Sequence, residues 1–149
     1  MGQIQVEKNV GGIEGLCVIT PTVHGDARGY FVETYNQNDM KEAGLTMEFV
    51  QDNQSSSTKG VLRGLHFQKQ FPQGKLVRAI RGSVYDVAVD LRSDSKTFLH
   101  TSFSCFINIR KNIYLGYPEF YSCAEIIISK PTSSMKDKWK IRPLRDHVN

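Results

Sequence analysis

Alternation between apolar and polar side chains is strongest in segment 84–92, and it predicts a β-strand. A period of two places alternate residues on opposite faces of a strand. One face would carry four apolar side chains and the other both carboxylates of the segment. The sets are Tyr85, Val87, Val89 and Leu91 on the first face, and Asp86, Ala88, Asp90 and Arg92 on the second. The pattern leaves two interpretations of the second face open: it points to water, or it lines a polar pocket.

Several other segments have the composition of strands. Segment 30–35 is rich in aromatic and β-branched residues, 101–109 alternates weakly, and 124–128 is a short apolar run. Segments 75–81 and 84–92 flank a Gly-Ser pair, which predicts a β-hairpin. A single helical turn is predicted over 39–44, ending at Gly44, and the Ser-rich segment 55–60 predicts a loop.

Many short strands with hardly any helix favour an all-β fold: a β-sandwich, jelly roll or barrel. With 149 residues, of which 40% are hydrophobic and 23% charged, we expect one globular domain spanning 1–149. No apolar run approaches the ~18 residues of a membrane helix. No basic N-terminal segment leads into an apolar one either, so we expect a cytoplasmic protein that does not bind membranes.

Cysteine spacing and charge exclude two further classes. The three cysteines, Cys17, Cys105 and Cys123, are far apart and form no CxxC pair, which is typical of reduced thiols rather than a zinc site. Segment 99–149 has eight basic and four acidic residues, which accounts for the whole net charge of +4. It has no stripe of Lys and Arg interleaved with aromatic residues, so we expect no nucleic-acid partner.

Segment 60–68 contains the most distinctive candidate for chemistry, His66. If this segment and the two that follow it form adjacent antiparallel strands, His66, Lys75 and Asp86 would meet in one polar pocket. A neutral imidazole near a carboxylate is a suitable base near pH 7, and an ammonium group stabilises an oxyanion. Strand periodicity puts Arg63 on the face opposite His66. The alternative interpretation is that His66 is a structural side chain.

Two other interpretations of this region fail on spacing. The pair His66-x-Gln68 offers one imidazole where metal-binding β-barrels often offer two, so we predict no metal site. Gly74-Lys75 lacks the earlier glycine of a phosphate loop and is followed by Leu76 rather than Ser or Thr.

Five motifs in fixed order carry a resemblance to a known family. They occupy 25–33, 49–53, 60–68, 73–78 and 82–92. Over residues 18–98 the chain resembles the dTDP-4-dehydrorhamnose 3,5-epimerase family. The resemblance implies an all-β, cupin-like jelly roll, also called a double-stranded β-helix, with little helix.

The resemblance also implies an activity: epimerisation of a dTDP-linked 4-keto-6-deoxyhexose at C3, C5 or both, without cofactor or metal. His66 corresponds to the general base that removes protons from these carbons. Asp86 corresponds to an active-site acid on the strand facing it. Arg63 and Lys75 occupy positions that bind the substrate and stabilise the enolate oxygen in the family.

Four further residues match family positions that contact the substrate. Gln51 and Asn53 correspond to direct substrate contacts. Arg28 and Glu33 lie in an arm that, in the family, reaches the nucleotide end of a neighbouring subunit's site. The resemblance therefore implies a homodimer.

The resemblance ends after residue 98, and segment 99–149 diverges. It has no Gly-Phe-Ala-His-Gly sequence, no clear counterpart of the family's tyrosine acid and no Trp-Asn-Asp motif. Tyr114, Tyr117 and Tyr121 are candidates for the acid. This divergence supports a second hypothesis, a catalytically impaired nucleotide-sugar-binding cupin, and a third, weaker one is a metal-dependent cupin.

Overall fold

Strands make up most of the regular structure. The computed structural model describes residues 3–68, 70–71, 73–107, 113–116 and 123–127. Its strands are β1 Ile4–Lys8, β2 Cys17–Pro21, β3 Val23–Asp26, β4 Gly29–Val32, β5 Leu62–His66, β6 Lys75–Val77, β7 Ser83–Val89, β8 Thr101–Ile107, β9 Ile113–Gly116 and β10 Cys123–Ile127. One α-helix, α1, spans Gln37–Glu42, and a 3-10 turn spans Val10–Gly12. The all-β prediction is confirmed.

The described strands form two four-stranded sheets and one separate hairpin, all antiparallel. The first sheet, here the β6 sheet, has the order β1-β2-β9-β6. The second, here the β7 sheet, has the order β5-β10-β7-β8. Among the described residues, strands β3 and β4 pair only with each other. Strands β6 and β5 are therefore sheet edges.

The predicted hairpin over 75–92 is wrong, because β6 and β7 lie in different sheets. Strand β6 pairs with β9, whereas β7 pairs with β10 and β8. The connecting segment 78–82 carries the chain from one sheet to the other. Val77 before it and Val84 after it pack against one apolar cluster that contains Ala79, so crossing between sheets buries apolar surface from both strands.

The apolar cluster between the sheets shows which face of β7 is internal. Its buried members are Ile13, Leu16, Val18 and Ala79, and the β7 residues Val84 and Ala88 pack against it. Asp86 lies two residues from each of them, and therefore on the same face, and it is 1% exposed. Asp90, two residues beyond Ala88, is 0% exposed. The carboxylate face therefore points into the protein, which excludes the water-facing interpretation.

Helix α1 covers the outer face of the β6 sheet. The Asn36 side chain accepts hydrogen bonds from the N–H groups of Asn38 and Asp39, at 2.9 and 3.3 Å, and so caps the helix N-terminus. Met40 is buried with Leu45 against β2. Gly44 follows at φ +80°, a left-handed conformation that favours glycine after a helix. The predicted short helix is confirmed, although it begins two residues earlier, at Gln37, and Gly44 follows its last residue, Glu42, by two positions.

A network of hydrogen bonds surrounds the buried carboxylate of Asp90. Arg92 donates from Nε and Nη2 at 3.0 and 2.9 Å, and the hydroxyls of Ser95 and Thr97 donate at 2.6 and 2.7 Å. Arg92 Nη2 also donates to the Glu14 carbonyl at 3.2 Å. Burial by itself would raise the pKa of Asp90, but these hydrogen bonds hold it well below its usual range. The network ties the end of β7 to the segment before β2.

Replacing Asp90 tests this network. Asp90→Asn leaves the Arg92 guanidinium without its anion, so we expect the free energy of unfolding at pH 7 to fall by about 3–5 kcal/mol. The folded-state pKa lies below the unfolded one, so the stabilisation is present above about pH 4 and is lost as the pH falls. The difference in the free energy of unfolding between Asp90→Asn and wild type should therefore become smaller at acidic pH.

Urea unfolding at a series of pH values measures both effects. Asp94→Asn removes an exposed carboxylate from the same loop and is the matched control, with an expected change below about 0.5 kcal/mol. Equal stability of Asp90→Asn and Asp94→Asn at pH 7 would contradict the structural role of Asp90.

Candidate functional site

A cavity of about 960 Å³ lies between segment 49–57 and the chain around the edge strand β6. Its other wall comprises residues 34–35, 76–81 and Val84. Tyr35 and Phe49 contribute an edge-to-face aromatic pair with ring centroids 5.8 Å apart. The volume lies at the upper end of the range for ligand pockets, about 300–1,000 Å³.

The predicted substrate-contacting residues Gln51 and Asn53 are adjacent in the cavity wall. Gln51 Nε2 donates to Asn53 Oδ1 at 3.3 Å. Segment 47–58 has no helix or strand, as expected for a segment dominated by Ser, Asn, Gln and Asp. Its polar side chains therefore provide hydrogen-bonding groups at the cavity.

Arg63, on β5, does not itself line the cavity but contacts a residue of its wall. Its Nε and Nη2 atoms both donate to Ser57 Oγ, at 3.0 and 2.8 Å. Ser57 lines the cavity. Three of the predicted substrate-binding residues, Gln51, Asn53 and Arg63, are thus connected to one cavity.

A β-bulge changes the face of β5 on which His66 lies. Along β10, Glu125 pairs with Arg63 and Cys123 pairs with His66, so two steps on β10 span three on β5. Gly64 lies within these three steps at φ +108°, a conformation that favours glycine. Arg63 and His66 therefore share a face, and the prediction that they lie on opposite faces is wrong.

The shared face of Arg63 and His66 is the one directed toward the β6 sheet. Through β10, Arg63 is in register with Asp86 and His66 is in register with Ala88. Asp86 and Ala88 belong to the internal face of β7. Because paired residues in a sheet share a face, the register positions of Arg63 and His66 are on the internal side as well.

Lys75 lies in the opposite sheet, and this corrects the prediction that adjacent strands unite His66, Lys75 and Asp86. Strands β5 and β7 are separated by β10, and Lys75 begins β6. The period of two nevertheless places Lys75 on the same face as Val77, which packs in the core between the sheets. Lys75 and His66 are therefore presented from facing sheets rather than from neighbouring strands.

The two edges that carry Lys75 and His66 lie on one side of the fold. The 3-10 turn between β1 and β2 packs on β8, and a Cβ added to Gly11 would lie 2.9 Å from Ser102. The β1 side of one sheet therefore lies over the β8 side of the other, so β6 and β5 are the edges at the opposite side. Both His66 and Lys75 are exposed there.

Asp86 is the buried member of the predicted catalytic set. Its Oδ1 accepts the Val87 N–H at 3.1 Å, and the side chain lies between the sheets. Asp86, His66 and Lys75 are not among the residues that line the cavity. Arg63 links the two regions, because it donates hydrogen bonds to Ser57 of the cavity wall and shares a face of β5 with His66.

Arg28 and Glu33 lie in and just after the separate hairpin. Arg28 donates to the Asp26 carboxylate and thereby lowers the pKa of Asp26. Glu33 accepts a hydrogen bond from Asn36 Nδ2 at 3.2 Å, where the hairpin joins α1. Phe31, between them, is 70% exposed. Neither Arg28 nor Glu33 lines the cavity.

The sequence interpretation missed two cationic residues of the cavity wall, Arg78 and Arg81. Both are exposed, and within the described residues neither forms a salt bridge. The cluster of three basic residues in 75–81 was the available signal. Together with Arg63, these arginines suit the cavity to an anionic ligand.

Other predictions concern metals, membranes and the tyrosines. Within the described part of the chain, no group of three or more His, Cys, Asp or Glu residues is placed to hold a metal ion. Among the described residues, no helix is long and apolar enough to span a membrane. Tyr114 lies in β9, in register with Val18 and Val77. Tyr117 and Tyr121 lie outside the described residues.

Comparison with known proteins reveals extensive similarity to sugar-nucleotide epimerases. A family model described as dTDP-4-dehydrorhamnose 3,5-epimerase matches residues 11–119, beyond both ends of the interval 18–98. The dTDP-4-dehydrorhamnose 3,5-epimerase of Methanothermobacter thermautotrophicus is 58% identical over 86 residues, which are 58% of this chain and 46% of that protein. The chain spans about half the length of the curated relatives it matches.

Two solved structures share its fold. The dTDP-6-deoxy-D-glucose-3,5-epimerase of Legionella pneumophila, in complex with dTDP-4-keto-L-rhamnose, has a TM-score of 0.78 and 38% identity, covering 85% of this chain and 66% of that one. The Bacillus anthracis dTDP-4-dehydrorhamnose 3,5-epimerase, with TDP and PPi bound, has a TM-score of 0.77 and 34% identity, covering 85% and 71%. The predicted cupin-like jelly roll is confirmed.

The cationic wall of the cavity can be tested with pyrophosphate as the probe. The double variant Arg78→Gln/Arg81→Gln removes two positive charges, so we expect its pyrophosphate affinity to be about tenfold lower, with a weaker dependence on salt. Isothermal titration calorimetry at several salt concentrations measures both quantities.

Lys59→Gln, which removes an exposed charge outside the cavity, is the control and should bind as wild type does. If the double variant and the control bind pyrophosphate equally, the two arginines do not contribute to an anion site.

Proposed function

Because the chain belongs to the dTDP-4-dehydrorhamnose 3,5-epimerase family, we propose that it epimerises a dTDP-linked 4-keto-6-deoxyhexose at C3, C5 or both. The observation that carries this proposal is the shared internal face of His66, Arg63 and Asp86, with Lys75 presented from the facing sheet. This arrangement combines a base, a carboxylate and cations at one opening between sheets. The reaction needs no cofactor.

The proposed chemistry is proton removal and return at a carbon beside a ketone. His66 takes the proton, the electron pair of the C–H bond forms a C=C bond with the carbonyl carbon, and the π pair of the C=O bond moves onto the oxygen. Lys75 stabilises the resulting enolate oxygen. A proton then returns to the opposite face of the same carbon, which inverts the centre and regenerates the ketone.

The other residues support this step in different ways. The buried carboxylate of Asp86 lies on the face that carries His66, where its negative charge stabilises the imidazolium formed after proton removal. Arg63, beside the cavity, binds the diphosphate, and Gln51 and Asn53 contact the substrate through their side-chain amides. The proton donor is assigned to one of the tyrosines Tyr114, Tyr117 or Tyr121.

Homodimer formation is part of the proposal. In the part of the chain that the structure describes, the β3–β4 hairpin pairs with neither sheet, and it exposes Tyr30 and Phe31, at 46% and 70%. Exposed aromatic side chains are enriched at protein interfaces. We propose that this hairpin is the arm that carries Arg28 and Glu33 to the nucleotide end of a neighbouring subunit's site.

The second candidate function is nucleotide-sugar binding without turnover. It is favoured by the absence from 99–149 of the family's Gly-Phe-Ala-His-Gly and Trp-Asn-Asp motifs and of a clear counterpart of its tyrosine acid. A cupin of this kind would keep the cavity and its cations and lose the reprotonation step. Metal-dependent cupin chemistry is the third candidate, and elemental analysis of the purified protein tests it directly.

The His66→Ala variant tests the role of the base. Removal of the imidazole leaves no group to take the proton. We therefore expect deuterium exchange from D₂O into C3 and C5 of the dTDP-linked 4-keto-6-deoxyhexose to slow at least about 10²-fold. Affinity for dTDP should stay within about twofold, since the diphosphate is held elsewhere. NMR follows the exchange, and calorimetry the binding.

His100→Ala, at another exposed histidine, is the control and should exchange at the wild-type rate. Unchanged exchange in His66→Ala would remove His66 from its role. Wild-type protein that binds dTDP without any exchange would establish the binding function instead of the epimerase.

Lys75→Ala tests the cation opposite His66. We expect a lower kcat, because the enolate loses its counter-charge, and a higher KM, because the same charge attracts the ground-state substrate. Steady-state kinetics separates the two parameters. A change confined to KM would show that Lys75 serves binding alone.

A further inference from the structure

We propose that Ser57 is a positioning residue that orients the Arg63 guanidinium toward the diphosphate of the ligand. This inference rests on the proposed function, because it assigns Arg63 an anionic partner. Nothing in the sequence distinguishes Ser57 from the other serines of segment 55–57, and the resemblance assigned no role to this position.

The hydrogen-bond geometry leaves one edge of the guanidinium available. Arg63 donates from Nε and Nη2, which form one edge of the planar group, to the single oxygen of Ser57 at 3.0 and 2.8 Å. Of the five guanidinium N–H groups, three remain, and they include the Nη1–Nη2 edge. That edge has the spacing for two parallel hydrogen bonds to phosphate oxygens.

Ser57 orients the charge of Arg63 without cancelling it. A hydroxyl oxygen accepts hydrogen bonds but carries no net charge, whereas a carboxylate at this place would form an ion pair. Within the described residues, Arg63 forms no salt bridge. Its positive charge therefore remains for an anion that enters the cavity lined by Ser57.

Local burial distinguishes Ser57 from its neighbours. In segment 51–60 it is the one partly buried residue, whereas all its neighbours there are exposed. Arg63 is exposed on an edge strand, where its long side chain would otherwise adopt many rotamers. The contact therefore joins the end of the cavity wall to β5 and reduces the number of conformations that Arg63 adopts before the ligand binds.

The test compares Ser57→Ala with Ser57→Thr in the full chain, with dTDP, pyrophosphate and thymidine as probes. Loss of the hydroxyl should weaken dTDP and pyrophosphate binding about fivefold to tenfold, and leave thymidine binding unchanged, because thymidine has no phosphate. Ser57→Thr keeps the hydroxyl and should bind within about twofold of wild type. Calorimetry measures all three affinities.

Two further variants separate positioning from general damage. Thr58→Ala removes a neighbouring hydroxyl outside the cavity lining and should bind all probes as wild type does. In the background of Arg63→Gln, Ser57→Ala should have no additional effect on dTDP affinity, because the two residues act as one unit. Additive losses in this double-mutant cycle would overturn the proposal.

The outcomes for this inference and for the proposed function are distinct. If wild type binds dTDP and Ser57→Ala binds it equally well, Ser57 has no positioning role and the proposed function stands. If wild type does not bind dTDP, the proposed function is wrong. In that case equal pyrophosphate binding by wild type and Ser57→Ala would also overturn the role of Ser57, and a fivefold loss would support it.

Discussion

The packing of β7 against the β6 sheet buries two carboxylates, and much of the surrounding structure compensates for them. Burying a charge is costly unless hydrogen bonds and an opposite charge accompany it. Asp90 receives Arg92 and two hydroxyls, which fixes the end of β7 relative to the segment before β2. Asp86, further along the same internal face, is in register with Arg63, and the neighbouring internal residue Ala88 is in register with His66. Asp90 on this face thus has a structural role, and Asp86 belongs to the candidate site.

Two edge strands provide the opening of the site. In a closed sandwich, internal residues of central strands are inaccessible to a large ligand, whereas edge strands can hold side chains that face inward and still meet solvent. His66 on β5 and Lys75 on β6 have this position. The bulge at Gly64 brings Arg63 and His66 onto the same face of β5. Without it, His66 and Arg63 would point to opposite sides of the sheet.

The candidate site was predictable where residues close in sequence form it. Gln51 and Asn53 are two residues apart in an irregular segment and meet in the cavity wall. The relative position of His66 and Lys75 was harder to predict, because it depends on the sheet to which each strand belongs. Ser57 was not among the residues predicted from the sequence. One serine in a polar loop cannot be distinguished from another until the partner of its hydroxyl, here Arg63, is known.

The amino-acid sequence by itself determined the all-β class, the period of β7, the short helix with its glycine end and the family motifs, because these depend on neighbours within a few residues. Only the tertiary structure decided that the carboxylate face is internal and that β6 and β7 separate into two sheets. It also decided that Arg63 and His66 share a face. Alternation defines two faces but does not say which one another sheet will cover, and one additional residue in a bulge reverses every face beyond it.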